Sequence, residues 1–215
     1  MSDPLSASFG PALRQQLAEH LERFPRRALE APADPRKARG AAVAVALLPD
    51  PAGEPSFVLT QRAFHLPYHP GQFALPGGKI EEGEDAVQAA LREMEEEISV
   101  RARPRDVLGL LDDFMTRSGF RITPVVIWLG EDPSLIPNPE EVRAIHRVPF
   151  AALDRPDVPI LTPVPRSEHP ILALPLVGTH VFAPTAAILY QAYEVLFQGR
   201  DTRVAHYEQP RFAWR

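Results

Sequence analysis

Residues 78–100 read GKIEEGEDAVQAALREMEEEISV, directly after Pro76-Gly77. Val87, Leu91, Met94 and Ile98 recur at steps of four, three and four, the spacing of one apolar stripe on an α-helix. Alanines at 86, 89 and 90 favour a helical backbone and permit close packing. The same helix concentrates Glu93, Glu95, Glu96 and Glu97. At about 100° per residue, Glu93 and Glu97 lie about 40° apart, one turn above the other. Glu96 falls about 60° from Glu93 on its other side, and Glu95 points elsewhere. Like charges stacked at i, i+4 repel. Two readings of this face follow. One is a solvated acidic surface. The other is a carboxylate set around a hard divalent cation, Mg²⁺ or Mn²⁺, which takes oxygen ligands.

Working outward, the bare Gly77-Gly78 pair allows a sharp turn into the helix and a close backbone approach to phosphates. Glu84, near the helix start, suits the positive end of the helix dipole and is a candidate for a further metal contact. Upstream, Ala41–Leu48 (AAVAVALL) has the composition of a buried strand, and Ser56–Thr60 returns as a second. Leu13, Leu17, Leu21 and Phe24 form a stripe on a first helix over residues 9–24, which Pro25 ends. Between Pro25 and Gly40 lies a proline-containing loop with Arg26, Arg27, Arg36, Lys37 and Arg39. It reads either as a contact for substrate phosphates or as a solvated linker that balances charge.

Downstream, Val107–Leu111 and Thr123–Leu129 are strand-like, with a turn at Arg117-Ser118-Gly119. Asn138-Pro139-Glu140-Glu141-Val142 is expected to open a short acidic helix or loop that leads to Arg147-Val148-Pro149-Phe150. Glu140 or Glu141 supplies a further metal ligand or the catalytic base, or else is an ordinary acidic helix start. Residues 151–156 suggest a helical turn, Pro159–Pro175 an irregular stretch, and Leu174–Phe182 two short strands. Pro184–Phe197 is a final helix. The tail, with Tyr207, Arg211, Phe212, Trp214 and Arg215, folds back or hangs free.

Composition narrows the function. With 215 residues the chain can bury one substantial core. A net charge of −5 argues against a nucleic-acid-coating surface. The absence of cysteine excludes disulfides, thiolate metal sites and cysteine nucleophiles, and suits a cytoplasmic location. No apolar run approaches the roughly 20 residues of a membrane span. Strands, a helix, more strands and a closing helix suggest an α/β sandwich with a mixed sheet.

Gly78, Glu84, Arg92, Glu93, Met94, Glu96, Glu97 and Val100 together resemble the Nudix box, G-x5-E-x7-R-E-U-x-E-E-x-G-U, where U is aliphatic. Ser99 stands where that pattern has glycine, so the chain's exit from the helix needs another solution. Just upstream, Leu59, Thr60, Arg62, Ala63, Gly71, Pro76, Gly77 and Gly78 match in register a pattern of coenzyme A diphosphatases within the same superfamily. Val58 and Leu75 replace a leucine and a phenylalanine of that pattern. Pro67 replaces its second arginine, so a cation for substrate phosphate must come from elsewhere, with His65 and His69 as neighbours.

The resemblance implies a Nudix-type α/β/α sandwich and one domain over 1–215, with its core at about 38–198, helix 9–24 before it and a tail at 199–215. It implies a Mg²⁺- or Mn²⁺-dependent diphosphatase. Glu93, Glu96 and Glu97 would be the metal ligands and, with Arg92, the catalytic residues, Arg92 acting as an internal partner of a glutamate. Arg62, Gly71, Gly77 and Gly78 would bind substrate. The implied substrate is a small molecule: coenzyme A, cut to 3′,5′-ADP and 4′-phosphopantetheine, or alternatively ADP-ribose, NADH or another nucleoside diphosphate derivative. A non-catalytic nucleotide-binding module is a further alternative, against which the intact carboxylates speak. The attacking water's base stays open among Glu96, Glu140, Glu141 and other carboxylates.

Overall fold

The computed structural model describes residues 5, 7–29, 39–130, 133–165 and 167–210. In chain order the elements are α1 (Pro11–Arg23), β1 (Arg39–Pro49), β2 (Pro55–Arg62), β3 (Phe73–Ala74), β4 (Gly77–Lys79) and α2 (Ala86–Ile98). There follow β5 (Val107–Leu110), β6 (Phe114–Met115), β7 (Phe120–Trp128), β8 (Val142–Pro149), β9 (Ile160–Thr162), β10 (Ile171–Leu176), β11 (Thr179–Phe182) and α3 (Thr185–Leu196).

From Ala41 to Leu48 β1 is apolar because both its faces are covered. Ala42, Ala44, Ala46 and Leu48 pack with Ala89, Ala90, Met94 and Ile98 of α2. Val45 and Leu47 point the other way, into a core shared with Leu13, Leu17 and Leu21 of α1 and Ile188, Leu189 and Ala192 of α3. β7 alternates likewise, Val125 and Ile127 toward α2, Val126 and Trp128 away from it. Each fully buried large aliphatic side chain contributes about 1.5–3 kcal/mol. The result is an α/β/α sandwich around a mixed sheet, as the pattern of elements predicts.

One edge of β1 runs parallel to β7, from Arg39 opposite Phe120 to Leu47 opposite Trp128. Its other edge is divided. Leu47–Pro49 pair antiparallel with β2, and Ala41–Val43 pair antiparallel with β4. β2 therefore diverges from β1 and is joined on its far side by β8. The gap between the two strands, floored by β4, faces the charged edge of α2. That helix begins in a reciprocal cap: Asp85 Oδ1 accepts from the Gln88 N–H and Gln88 Oε1 from the Asp85 N–H, each at 2.8 Å.

Several expectations require correction. Val142–Pro149 is a strand, where a short acidic helix or loop at 138–142 was expected to lead on. The Asn138 carbonyl accepts from the N–H groups of both Glu141 and Val142, closing a turn, and pairing with β2 then decides the conformation. The stretch expected to be irregular holds β9 and the start of β10, which form a three-stranded antiparallel sheet with β11. Short range propensity could not show either pairing. The tail folds back as far as Pro210: Glu208 bridges to Ile171, Arg203 grips both oxygens of Asp112, and Val204 is buried. Arg211, Phe212, Trp214 and Arg215, and Arg36 and Lys37 of the basic loop, lie outside the described residues. No helix among the described residues is long and apolar enough to cross a membrane.

Ser99 leaves α2 in the left-handed conformation, φ 59° and ψ 27°, with its N–H bonded to the Glu95 carbonyl at 3.0 Å. A side chain there costs about 1–2 kcal/mol, and glycine returns about 0.5–1 kcal/mol of that as lost chain entropy. Ser99→Gly should therefore raise stability by about 0.5–1 kcal/mol in urea unfolding; a loss of stability would show that the Ser99 side chain holds the turn.

Candidate active site

The floor of the site is backbone. A Cβ on Gly77 would lie 2.3 Å from the Ala42 carbonyl oxygen, and one on Gly78 would lie 2.1 Å from Glu93 Oε1. Only bare glycines let β4 pair with β1 while α2 sets its carboxylates against it. The Gly77 N–H donates to Glu97 Oε2 at 3.2 Å.

Arg92 organises the carboxylates around it. Its Nε and Nη2 take the two oxygens of Glu84 at 2.8 and 3.1 Å. Its Nη1 donates to Glu93 Oε1 and Glu96 Oε2, both at 3.0 Å, and its Nη2 also to the Lys79 carbonyl at 3.0 Å. The fork geometry of guanidinium makes this possible. Hydrogen bonding from Arg92, then the Glu81 backbone N–H, holds Glu84 below the usual carboxylate range. The bond to Glu84 above all holds the guanidinium proton more firmly than usual. Both oxygens of Glu84 thus accept from Arg92, and Oε2 also from the Glu81 N–H.

Three carboxylates converge beyond Arg92. One oxygen each from Glu93, Glu97 and Glu141 lies within 4.8 Å of the other two. Glu97 is only 4% exposed. Burial, and then the charge of Glu93, pushes its carboxyl up to about 8. Burial also raises Glu93, against the opposing pull of Arg92. Glu96 is placed apart from this trio, half-exposed and bound to Arg92. Of the two downstream alternatives, the turn before β8 brings in Glu141. Glu140 is exposed and offers its carbonyl to His65 Nε2 at 3.0 Å.

Arg62 sits at a bulge where β2 leaves its register with β8. Its Nε is buried and has no hydrogen-bond partner. Its positive charge is felt by Glu97 and by His69, whose pKa is lowered first by burial and then by Arg62. Gly71, at φ +69°, is placed against Phe64: a Cβ there would meet the ring at 2.3 Å. Of the basic-loop candidates, Arg26 is bound to Asp113 and the Leu111 carbonyl, and Arg39 lies over the Phe120 ring, so neither is held toward the trio. No sequence signal singled out Glu141 over Glu140, nor the unpartnered Arg62 Nε; strand pairing creates both.

An acidic helix laid against a glycine strand, set in the cleft of an α/β/α sandwich, defines a class, and comparison with known proteins gives its family. The NUDIX domain model matches residues 38–166. The chain is 33% identical over 151 residues to the "Uncharacterized Nudix hydrolase NudL" of Yersinia enterocolitica, covering 70% of this chain and 74% of that one. Against the protein of the same name from Escherichia coli K12 it is 37% identical over 114 residues, 53% of this chain and 58% of that relative's length. Among solved structures, a MutT/nudix family protein from Enterococcus faecalis superposes with TM-score 0.52 at 18% identity, covering 86% of this chain and 73% of that one. The chain belongs to the Nudix family.

The trio fits the divalent cation that such a site implies. Its donors are all carboxylate oxygens, the preference of Mg²⁺ and Mn²⁺. The burial that raises Glu97 is a cost that a bound cation removes. A carboxyl with a raised folded-state pKa lends stability below its ordinary value of 4.5, and that stability is lost as pH rises through about 8. In chelator, the melting temperature should therefore fall between about pH 5 and pH 8.5. Millimolar Mg²⁺ should raise it more at the higher pH, as thermal unfolding would register. A Mg²⁺ effect equal at both ends would contradict this placement of Glu97.

Proposed function

We propose that the chain is a Mg²⁺- or Mn²⁺-dependent diphosphatase of nucleoside diphosphate derivatives, with coenzyme A, cut to 3′,5′-ADP and 4′-phosphopantetheine, as its foremost substrate. The observation that carries this reading is the pairing of the Glu93, Glu97 and Glu141 oxygens with a buried, unpartnered arginine nitrogen on the facing strand. One side of the cleft suits a cation and the other an anion, which is the polarity of a metal–diphosphate complex. Support for coenzyme A comes from the upstream pattern ending in Pro76-Gly77-Gly78. Pro67, in place of an arginine of that pattern, favours the second reading, ADP-ribose or NADH. The catalytic unit is taken as residues 38–198, with α1 and the tail packed on the face opposite α2.

Glu93, Glu97 and Glu141 would hold the cation, which neutralises diphosphate oxygens and polarises phosphorus when bound. Arg92 keeps Glu93 in place, and ties Glu84 and Glu96 to the same guanidinium. Arg62, half-buried and with its charge felt by Glu97, takes a non-bridging phosphate oxygen with its guanidinium. Gly77 and Gly78 let the diphosphate approach the backbone. A carboxylate orients the attacking water and accepts its proton. The water oxygen bonds to one phosphorus as the bridging P–O bond breaks, and each product keeps one of the two phosphates of the diphosphate. Glu141, part of the trio and reached by solvent, is the first candidate for that base, and Glu96, held by Arg92, the second.

Product analysis across coenzyme A, dephospho-coenzyme A, ADP-ribose and NADH with Mg²⁺ tests the reading. Coenzyme A should have the highest kcat/KM; a tenfold preference for ADP-ribose or NADH would select the second reading, and full activity in excess chelator would reject metal dependence. Glu97→Gln keeps shape and removes charge, and should lower kcat by at least about 10²-fold. Arg62→Lys keeps charge without the planar fork and should lower kcat/KM about ten- to a hundredfold. An unchanged kcat/KM in that variant would make Arg62 a bystander.

A further inference from the structure

Arg143 is a basic residue for which neither the fold nor the proposed chemistry has yet given a use. It lies on β8, two residues beyond Glu141. Ala144 lies opposite Gln61 and Val142 opposite Arg62, so Arg143 is the extra residue of the bulge, exposed and outside the ladder, close along the chain to the turn that carries Glu141. Its guanidinium carbon sits 4.9 Å from the centroid of the Phe64 ring.

Phe64 is itself held in place. The N–H of the preceding Ala63 donates to the Glu141 carbonyl at 2.8 Å, and His65 Nε2 lies 3.0 Å from the Glu140 carbonyl. Gly71 leaves just enough room for the ring edge. The ring stays 61% exposed, an unusual position for a large apolar group. It thus clips to the turn that delivers Glu141 and presents one face as a seat for the cation.

No carboxylate pairs with Arg143 among the described residues, although Glu140 and Glu141 are its near neighbours. Arg92 and Arg26, by contrast, are taken up by glutamates and aspartate. An arginine stacked on an aromatic ring keeps its N–H edge free, and that edge matches two phosphate oxygens. The loop that carries Phe64 also carries Pro67, where the resembled pattern has an arginine. Arg143 sets a guanidinium beside that loop.

We propose that Arg143, seated on Phe64, binds a phosphoryl group of the substrate. That group is either a phosphate of the diphosphate or a ribose-bound phosphate. Arg143 is a binding residue and Phe64 a positioning residue. The inference rests on the reading of this cleft as a nucleotide site.

Calorimetric titration with two probes, ADP and adenosine 3′,5′-bisphosphate, tests it in the presence of Mg²⁺. The wild-type chain would be compared with Arg143→Ala, Arg143→Lys and Phe64→Leu. Arg143→Ala should weaken at least one probe about ten- to a hundredfold, the size of a charged hydrogen bond. A loss for both probes assigns the diphosphate or 5′-phosphate, and a loss for the bisphosphate alone assigns the ribose phosphate. Arg143→Lys should recover part of the affinity, and Phe64→Leu should cost a few-fold, because the guanidinium loses its seat. Arg143→Ala binding both probes within twofold of wild type would overturn the proposal, as would a wild-type chain that binds neither. A wild-type chain that binds the probes but hydrolyses no member of the substrate panel would reject the proposed activity and leave the Arg143 result standing.

Discussion

Gathering negative charge in a place where water cannot screen it is the constraint on which this structure turns. Two carboxylates less than 5 Å apart repel by roughly 3–4 kcal/mol at an effective dielectric of about 20. Glu93, Glu97 and Glu141 incur that cost in three pairs, and Glu97 is also buried. The chain offsets part of it. Arg92 gives Glu93 one of its donors, and the Gly77 N–H points at Glu97. The remainder is left for a proton, as the raised Glu97 pKa records, or for a cation.

The rest of the sandwich makes that gathering possible. Small alanines on β1 and α2 bring the helix close to the sheet, so that its charged edge overhangs β4. The split pairing of β1 opens the cleft between β2 and β4, and β8 delivers Glu141 to its far wall. On the opposite face, Asp112 and Asp113 tie the ends of the chain to its middle. Asp112 accepts from Arg203, Gln191 and the Arg27 N–H; Asp113 accepts from Arg26, Thr123 and the Leu29 N–H. These buried carboxylates are fully partnered, whereas those of the cleft are not, and that contrast separates a structural acid from one kept for a ligand.

Much of this was legible in the sequence, for reasons that can be named. The stripe Val87, Leu91, Met94, Ile98 has helical period, and the stacking of Glu93 on Glu97 follows from it. β1 was legible because burial on both faces demands an apolar run. Glu141 was one of two alternatives, because the choice depends on a turn at Asn138 and on register with β2. Glu96 was grouped with the ligands through the resemblance; in the structure its side chain reaches Arg92, one helical turn away. β8 and β9 were missed because an Asn-Pro-Glu-Glu start imitates a helix and a proline-rich stretch imitates a loop, while partners far along the chain determine both.

Glu93, Glu97 and Glu141 are proposed to hold one cation between them. Calorimetric titration of Mn²⁺ into the wild-type chain, Glu141→Gln and Glu95→Gln tests it most directly. Glu95 shares the helix but is turned to Arg101. The account expects Glu141→Gln to weaken Mn²⁺ binding at least about tenfold, near 1.4 kcal/mol, with Glu95→Gln unchanged. Equal Mn²⁺ affinity in the wild-type chain and Glu141→Gln would contradict it.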